Sequence, residues 1–140
     1  MIYGYILLGI LFLSSRGYEP NTPLTEYIRF SSNIIPFKTI STYISALFTG
    51  SMNLNIPIEN LVGNFILFIP MGIYLPYFIK KLNKLSIYVT VMTLLLFGIE
   101  VVQLVTRRGS FDIDDFILNM LGALLGYFIW KSKVVQNLLK

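Results

Sequence analysis

The sequence predicts an all-α membrane protein with about four transmembrane helices and an amphipathic interfacial helix in the first outer loop. Three observations predict it. The chain is 55% hydrophobic, and its mean hydropathy is +0.70 with only 13% charged residues, about half the charge of a soluble domain. It carries four long apolar runs, and its basic residues gather at the ends of those runs. With 140 residues there is material for a single membrane domain over 1–140 and not for two independent cores.

The first run, Met1 to Ser15, reaches ~22 Å as a helix and is the shortest candidate span. A positive segment ahead of it is missing, so it reads as a helix of the mature protein and not as a signal peptide. Arg16 to Asn60 is too polar to span. Within it Thr22 offers an N-cap with Pro23 at the first helical position. Further on, Ile40, Tyr43, Ile44, Leu47 and Phe48 recur at helical spacing opposite Ser41, Thr42 and Ser45. That stripe predicts the interfacial helix. Leu61 to Ile79, Ser86 to Thr106 and Ile113 to Trp130 supply the second, third and fourth spans, each near the ~20 residues that ~30 Å of hydrocarbon requires.

Lys80, Lys81 and Lys84 follow the second span, and Lys131, Lys133 and Lys140 follow the fourth. The positive-inside rule puts both groups, and both termini, on the cytoplasmic side. Arg16, Arg29, Lys38, Arg107 and Arg108 then fall outside. The net charge of +4 is accounted for by this anchoring, so no nucleic acid is expected as partner; the bilayer is.

The chain contains no cysteine and no histidine. Disulfides, thiolate metal sites and imidazole bases are excluded, and any chemistry falls to carboxylates, hydroxyls, lysine or arginine. The acidic residues concentrate in EVVQLVTRRGSFDIDD, residues 100–115, which holds Glu100 and all three aspartates, Asp112, Asp114 and Asp115. The start of the second span, the end of the third and the start of the fourth share one membrane face. Asn60, Asn64, Glu100, Gln103, Asp112, Asp115 and Asn119 therefore lie at similar depth.

At 100° per residue Thr93, Glu100, Gln103 and Arg107 make one stripe of the third span, and Asp112, Asp115, Asn119, Gly122 and Gly126 one stripe of the fourth. Gly122 and Gly126 form a small-xxx-small contact, serving either internal packing or dimerisation. The plain role of Ser110, Asp112, Asp114 and Asp115 is to cap the fourth helix and complement its dipole. Glu100 lies too deep for that. Its structural role is a bond to Arg107 or Asn64; otherwise an intramembrane acid marks a functional site. Arg107 and Arg108 either snorkel to headgroups or recognise an anion such as a lipid pyrophosphate. A D-x-D-D run beside a glutamate also suits Mg²⁺ carrying a diphosphate.

Three blocks, SNIIPFKTI, NLVGNFILFIPMGIYLP and EVVQLVTRRGSFDIDDFILNMLGALLGY, in this order resemble the VanZ-like family of bacterial membrane proteins over about Ser31 to Tyr127. The family pattern falls on Asn33, Pro36 and Phe37, on Asn60, Gly63, Asn64, Pro70 and Gly72, and on Glu100, Gln103, Arg108, Gly109, Asp112, Asp114, Asp115, Asn119, Gly122 and Gly126. The short first run departs from it.

That resemblance implies a multi-pass protein of the bacterial cytoplasmic membrane, with an envelope role connected to teicoplanin resistance in Gram-positive bacteria. It supplies no reaction. The candidate ligand-binding cluster is then Asn33, Asn60, Asn64, Glu100, Gln103, Arg107, Arg108, Asp112, Asp114, Asp115 and Asn119, on the extracytoplasmic face. The leading expectation is a non-catalytic protein without cofactor that meets a lipid-linked cell-wall precursor or a lipoglycopeptide. The alternative is a membrane enzyme acting on a lipid-linked pyrophosphate through Glu100 and Asp115, and only that reading calls for Mg²⁺.

Overall fold

The computed structural model describes residues 2–13 and 22–138. Three helices are long and apolar enough to cross a membrane: α4 (Asn55–Phe78), α5 (Leu85–Val105) and α6 (Ile113–Lys131). The expected first span is the shorter helix α1 (Ile2–Phe12), so three candidate spans and not four stand among the described residues. Met1, Ser14, Ser15, Arg16 and Lys140, which entered the span and charge arguments, lie outside those residues. Between α1 and α4 come α2 (Leu24–Phe30), the two-residue strand β1 (Ser32–Asn33) and α3 (Lys38–Thr49). A matching strand β2 (Phe111–Asp112) leads into α6, and α7 (Lys133–Leu138) follows it. The protein is helical almost throughout, as its patterning predicts.

In α2 Pro23, and not Thr22, holds the N-cap place, with no side-chain bond there. Proline's fixed φ leads into the helix, and its carbonyl accepts the Tyr27 N–H at 2.9 Å. Helix α3 ends at Gly50, whose φ of 63° gives a left-handed cap, the conformation glycine tolerates best. Its apolar stripe divides. Ala46 is buried and Ile40 and Tyr43 are partly covered, whereas Ile44, Leu47 and Phe48 face outward. Together with exposed Ile34, Ile35 and Phe37 they give the loop an apolar outer surface, as an interfacial helix needs.

Helix α4 starts well before Leu61 and is irregular. It holds a π-helical turn at Glu59–Gly63 and is interrupted at Phe68, ahead of Pro70. Proline removes a backbone donor and presses on the preceding turn, and in lipid the groups freed must be met by neighbours. The Tyr3 hydroxyl donates to the Leu67 carbonyl at 2.8 Å, and Asn83 Nδ2 to the Pro76 carbonyl at 3.0 Å. The Tyr127 hydroxyl and Trp130 Nε1 also end on Asn83, which ties the basic end of α4 to that of α6.

Helices α4 and α6 make the most extensive contact in the structure, and glycine creates it. A Cβ on Gly122 would lie 1.8 Å from the Phe65 carbonyl oxygen, one on Gly126 2.0 Å from that of Ile69, and one on Gly72 2.2 Å from that of Ala123. The small-xxx-small face of α6 therefore packs inside this chain, backbone against backbone. On α5 the buried stripe is Tyr88, Met92, Leu96 and Glu100. Thr93 is exposed, so the stripe drawn through it at 100° per residue lies to one side of the true contact line. The core of Phe68, Tyr88, Met92, Leu96, Ala123 and Tyr127 fills the centre, and the polar residues lie at the end of the bundle where α5 turns into α6.

Candidate functional site

The turn between α5 and α6 is set by its backbone. Arg107 takes φ of 56°, and the N–H groups of Arg108 and Gly109 both return to the Gln103 carbonyl, at 2.9 and 3.3 Å. This closes the helix as a glycine usually does. The chain then pairs Phe111–Asp112 in parallel with Ser32–Asn33, registering Ser32 with Phe111 and Asn33 with Asp112. Tyr27 adds a bond from its hydroxyl to the Gly109 carbonyl at 2.8 Å.

Around this bridge the predicted cluster separates into two groups. In the first, Asp112 caps α6 by accepting the Asp114 N–H at 2.9 Å. Its carboxylate also takes Asn33 Nδ2 at 3.0 Å and the Thr39 hydroxyl at 2.6 Å. Asp114 is fully buried and serves a different helix from its own. It accepts the N–H groups of Phe37 at 2.6 Å, Thr39 at 2.7 Å and Ile40 at 3.1 Å, so a carboxylate on α6 satisfies the start of α3. Phe37 holds φ of 65° there, a costly conformation for a non-glycine residue, kept by the bond it donates. Thus Asn33, Asp112 and Asp114 fasten the segment that carries β1 and α3 to the spans, and the oxygens of both aspartates are given to donors of the protein.

In the second group, Asn64, Glu100, Gln103, Arg108, Asp115 and Asn119 line one cavity of about 20 Å³ together with Leu11, Gly109 and Ser110. Glu100 is 3% exposed. Its Oε2 accepts the Asp112 N–H at 3.1 Å, so it joins the two groups. Asn64 gives its amide to Asp115, and Gln103 Nε2 donates to the Leu11 carbonyl at 2.8 Å, holding α1 to α5. Among the described residues no three acidic side chains are grouped to hold a metal ion.

Two predicted members stand apart. Asn60 turns back to the Ile56 carbonyl of its own helix at 2.7 Å, and Arg107 lies over the Tyr27 ring, 5.9 Å from its centroid. Arg108 is the arginine at the cavity, and its side chain reaches the surface. Thr39 and Tyr27 were absent from the predicted set. Thr39 belongs to the SNIIPFKTI block, which singled out its neighbours; Tyr27 has no pattern around it.

This arrangement brings polar residues of all three sequence blocks together at one end of one bundle. The family model described as VanZ/LLP1 matches residues 1–136. The chain belongs to the VanZ/LLP1 family. No curated protein and no solved structure matches it. The VanZ/LLP1 match extends beyond the resemblance at 31–127 to include α1, which supplies Leu11 to the cavity lining. Read as a VanZ/LLP1 site, the polar cluster consists of a lock and a cavity that share Glu100 as their link.

Proposed function

We propose that this membrane protein acts in the bacterial cell envelope without covalent chemistry, lowering susceptibility to teicoplanin and related lipoglycopeptides. It does so by binding a cell-wall lipid intermediate, or by altering how the drug anchors at the outer leaflet. The observation that carries this reading is the division of the polar cluster. Asp112 and Asp114 spend their oxygens on the loop, and the cavity of about 20 Å³ has room for one water and not for a headgroup. What remains for an outer-leaflet lipid is a fixed surface. Arg108 and Ser110 are exposed beside the cavity, and the apolar side chains of Ile44, Leu47 and Phe48 are exposed on the interfacial helix. A phosphate would meet the arginine bidentately, and acyl chains would lie along the apolar face. The antibiotic direction comes from the family's name and not from this geometry.

Cells expressing Arg108→Ala, Glu100→Gln or Asp115→Asn test the reading, with teicoplanin susceptibility measured at matched membrane abundance. Arg108→Ala is expected to lose most of the protection, in line with the ~1.5–3 kcal/mol that a charged hydrogen bond contributes. Wild-type protection by all three would leave the cluster a purely structural feature.

The second reading, an enzyme acting on a lipid-linked pyrophosphate, draws on Glu100 and Asp115 lining one cavity with Arg108. Metal-dependent turnover by the purified protein that disappears in Glu100→Gln would favour it, and absence of turnover with any divalent metal would count against it.

For topology, we take the cluster to face outward with both termini inside, which requires the short helix α1 to cross as a fourth span. The chain has no cysteine, so Ser110→Cys gives one thiol at an exposed position. A membrane-impermeant reagent should label it in intact cells; labelling only after permeabilisation would reverse the orientation.

A further inference from the structure

Three carboxamides border the cavity, and their bonding fixes which atoms are left over. Asn64 donates through Nδ2 to Asp115, a carboxylate that in its ionised form only accepts, so the Asn64 Oδ1 is left as an acceptor. Gln103 donates through Nε2 to the Leu11 carbonyl, which likewise leaves Oε1. Asn119 is 3% exposed and lines the same cavity, and its Oδ1 is buried without a partner. A buried acceptor without a donor is rare in a folded protein. At about 20 Å³ the space exceeds the roughly 10–15 Å³ that one water requires, and carboxylate and carboxamide side chains line it.

We infer that this cavity binds one water-sized electropositive group, either a water molecule through its hydrogens or a sodium ion, with Asn119 Oδ1 among its ligands. The group sits between Glu100, Asp115 and Asn119, beneath the exposed Arg108. This site goes beyond the lipid-binding reading and stands without it, because its occupant is measured on the purified protein with no lipoglycopeptide present.

The experiment uses the full chain in detergent micelles. Its thermal midpoint is compared in sodium chloride and choline chloride at equal ionic strength, and cross-relaxation from water to the Asn119 side-chain amide is recorded by NMR. A sodium ion raises the midpoint in sodium chloride only. A bound water gives a long-lived cross-peak with no dependence on the cation. Asn119→Leu removes the acceptor at similar volume, and is expected to abolish the sodium effect if the ion is bound. If water is bound, it is expected to lower the midpoint by about 3 °C or more in both salts. The absence of both a sodium effect and a water cross-peak in the unmodified protein overturns the inference, whatever the variant does. A sodium effect that persists in Asn119→Leu, or a midpoint unchanged by the substitution where water was seen, removes Asn119 from the site.

Discussion

Gly122→Ala is expected to separate α6 from α4 and to remove most of the folded protein from the membrane. The added Cβ would lie 1.8 Å from the Phe65 carbonyl oxygen and 2.9 Å from its carbon. The obstacle is backbone, so no side chain can rotate out of the way. Overpacking of this kind costs about 3 kcal/mol or more. Water supplies no compensating drive for helix association inside lipid, where close packing itself holds the pair. Gly126→Ala should behave alike, since its Cβ would meet the Ile69 carbonyl at 2.0 Å. Gly98→Ala is the control. A Cβ there has nothing within 4 Å, and alanine improves a helix interior by about 0.8–1 kcal/mol. Unfolding by a denaturing detergent, followed by helicity and by membrane abundance, should rank Gly98→Ala at or above wild type and both packing variants far below it. Equal stability for Gly122→Ala and Gly98→Ala would contradict the close helix contact.

Asp114→Ala is expected to free the segment between α1 and α4 while the three spans stay assembled. Its carboxylate accepts three N–H groups at the start of α3, each bond to a charged group contributing about 1.5–3 kcal/mol. Phe37 would also lose the bond that holds its left-handed backbone. Hydrogen exchange should accelerate by at least tenfold at the amides of Phe37, Thr39 and Ile40 and remain slow along α5. Asp115→Asn is the matched control, since the amides at the start of α3 bond to Asp114 and not to its neighbour. Unchanged protection at these three amides in Asp114→Ala would show that the carboxylate is not what orders the loop.

The spans were legible because length and apolarity decide them, and α5 and α6 lie within a residue or so of the expected boundaries. Helix α4 was drawn too short because Ile56, Pro57 and Ile58 precede polar Glu59 and Asn60, and a polar interruption resembles an end. The same stretch misplaced Asn60. Similar depth brings Asn60 and Asn64 to one site only if they share a face, as i, i+4 residues do in a regular α-helix, and the π-helical turn at Glu59–Gly63 winds more residues into that turn. Asn64 consequently faces the cavity, and Asn60 returns to its own helix.

The two arginines were indistinguishable in the sequence. The positive φ of Arg107 turns one toward Tyr27 and leaves the other at the cavity. Asp112 as the cap of α6 was visible, because capping is local. The partners of Asp114 are 74 to 77 residues away, and no local pattern announces a helix capped by a remote side chain. Depth, helical spacing and the family resemblance brought Glu100, Asp115 and Asn119 together in the sequence. Their division into a lock and a cavity needed the side chains.

The bridge between Ser32–Asn33 and Phe111–Asp112 also sets an order of assembly. Synthesis proceeds from the N-terminus, so α2 and α3 emerge long before the residues that hold them. Until α5 has entered the bilayer and α6 has begun, Asn33 and Thr39 lack Asp112 and the first amides of α3 lack Asp114. The segment carrying α2 and α3 therefore docks after α5 and the start of α6, and its settling marks that the last span has begun.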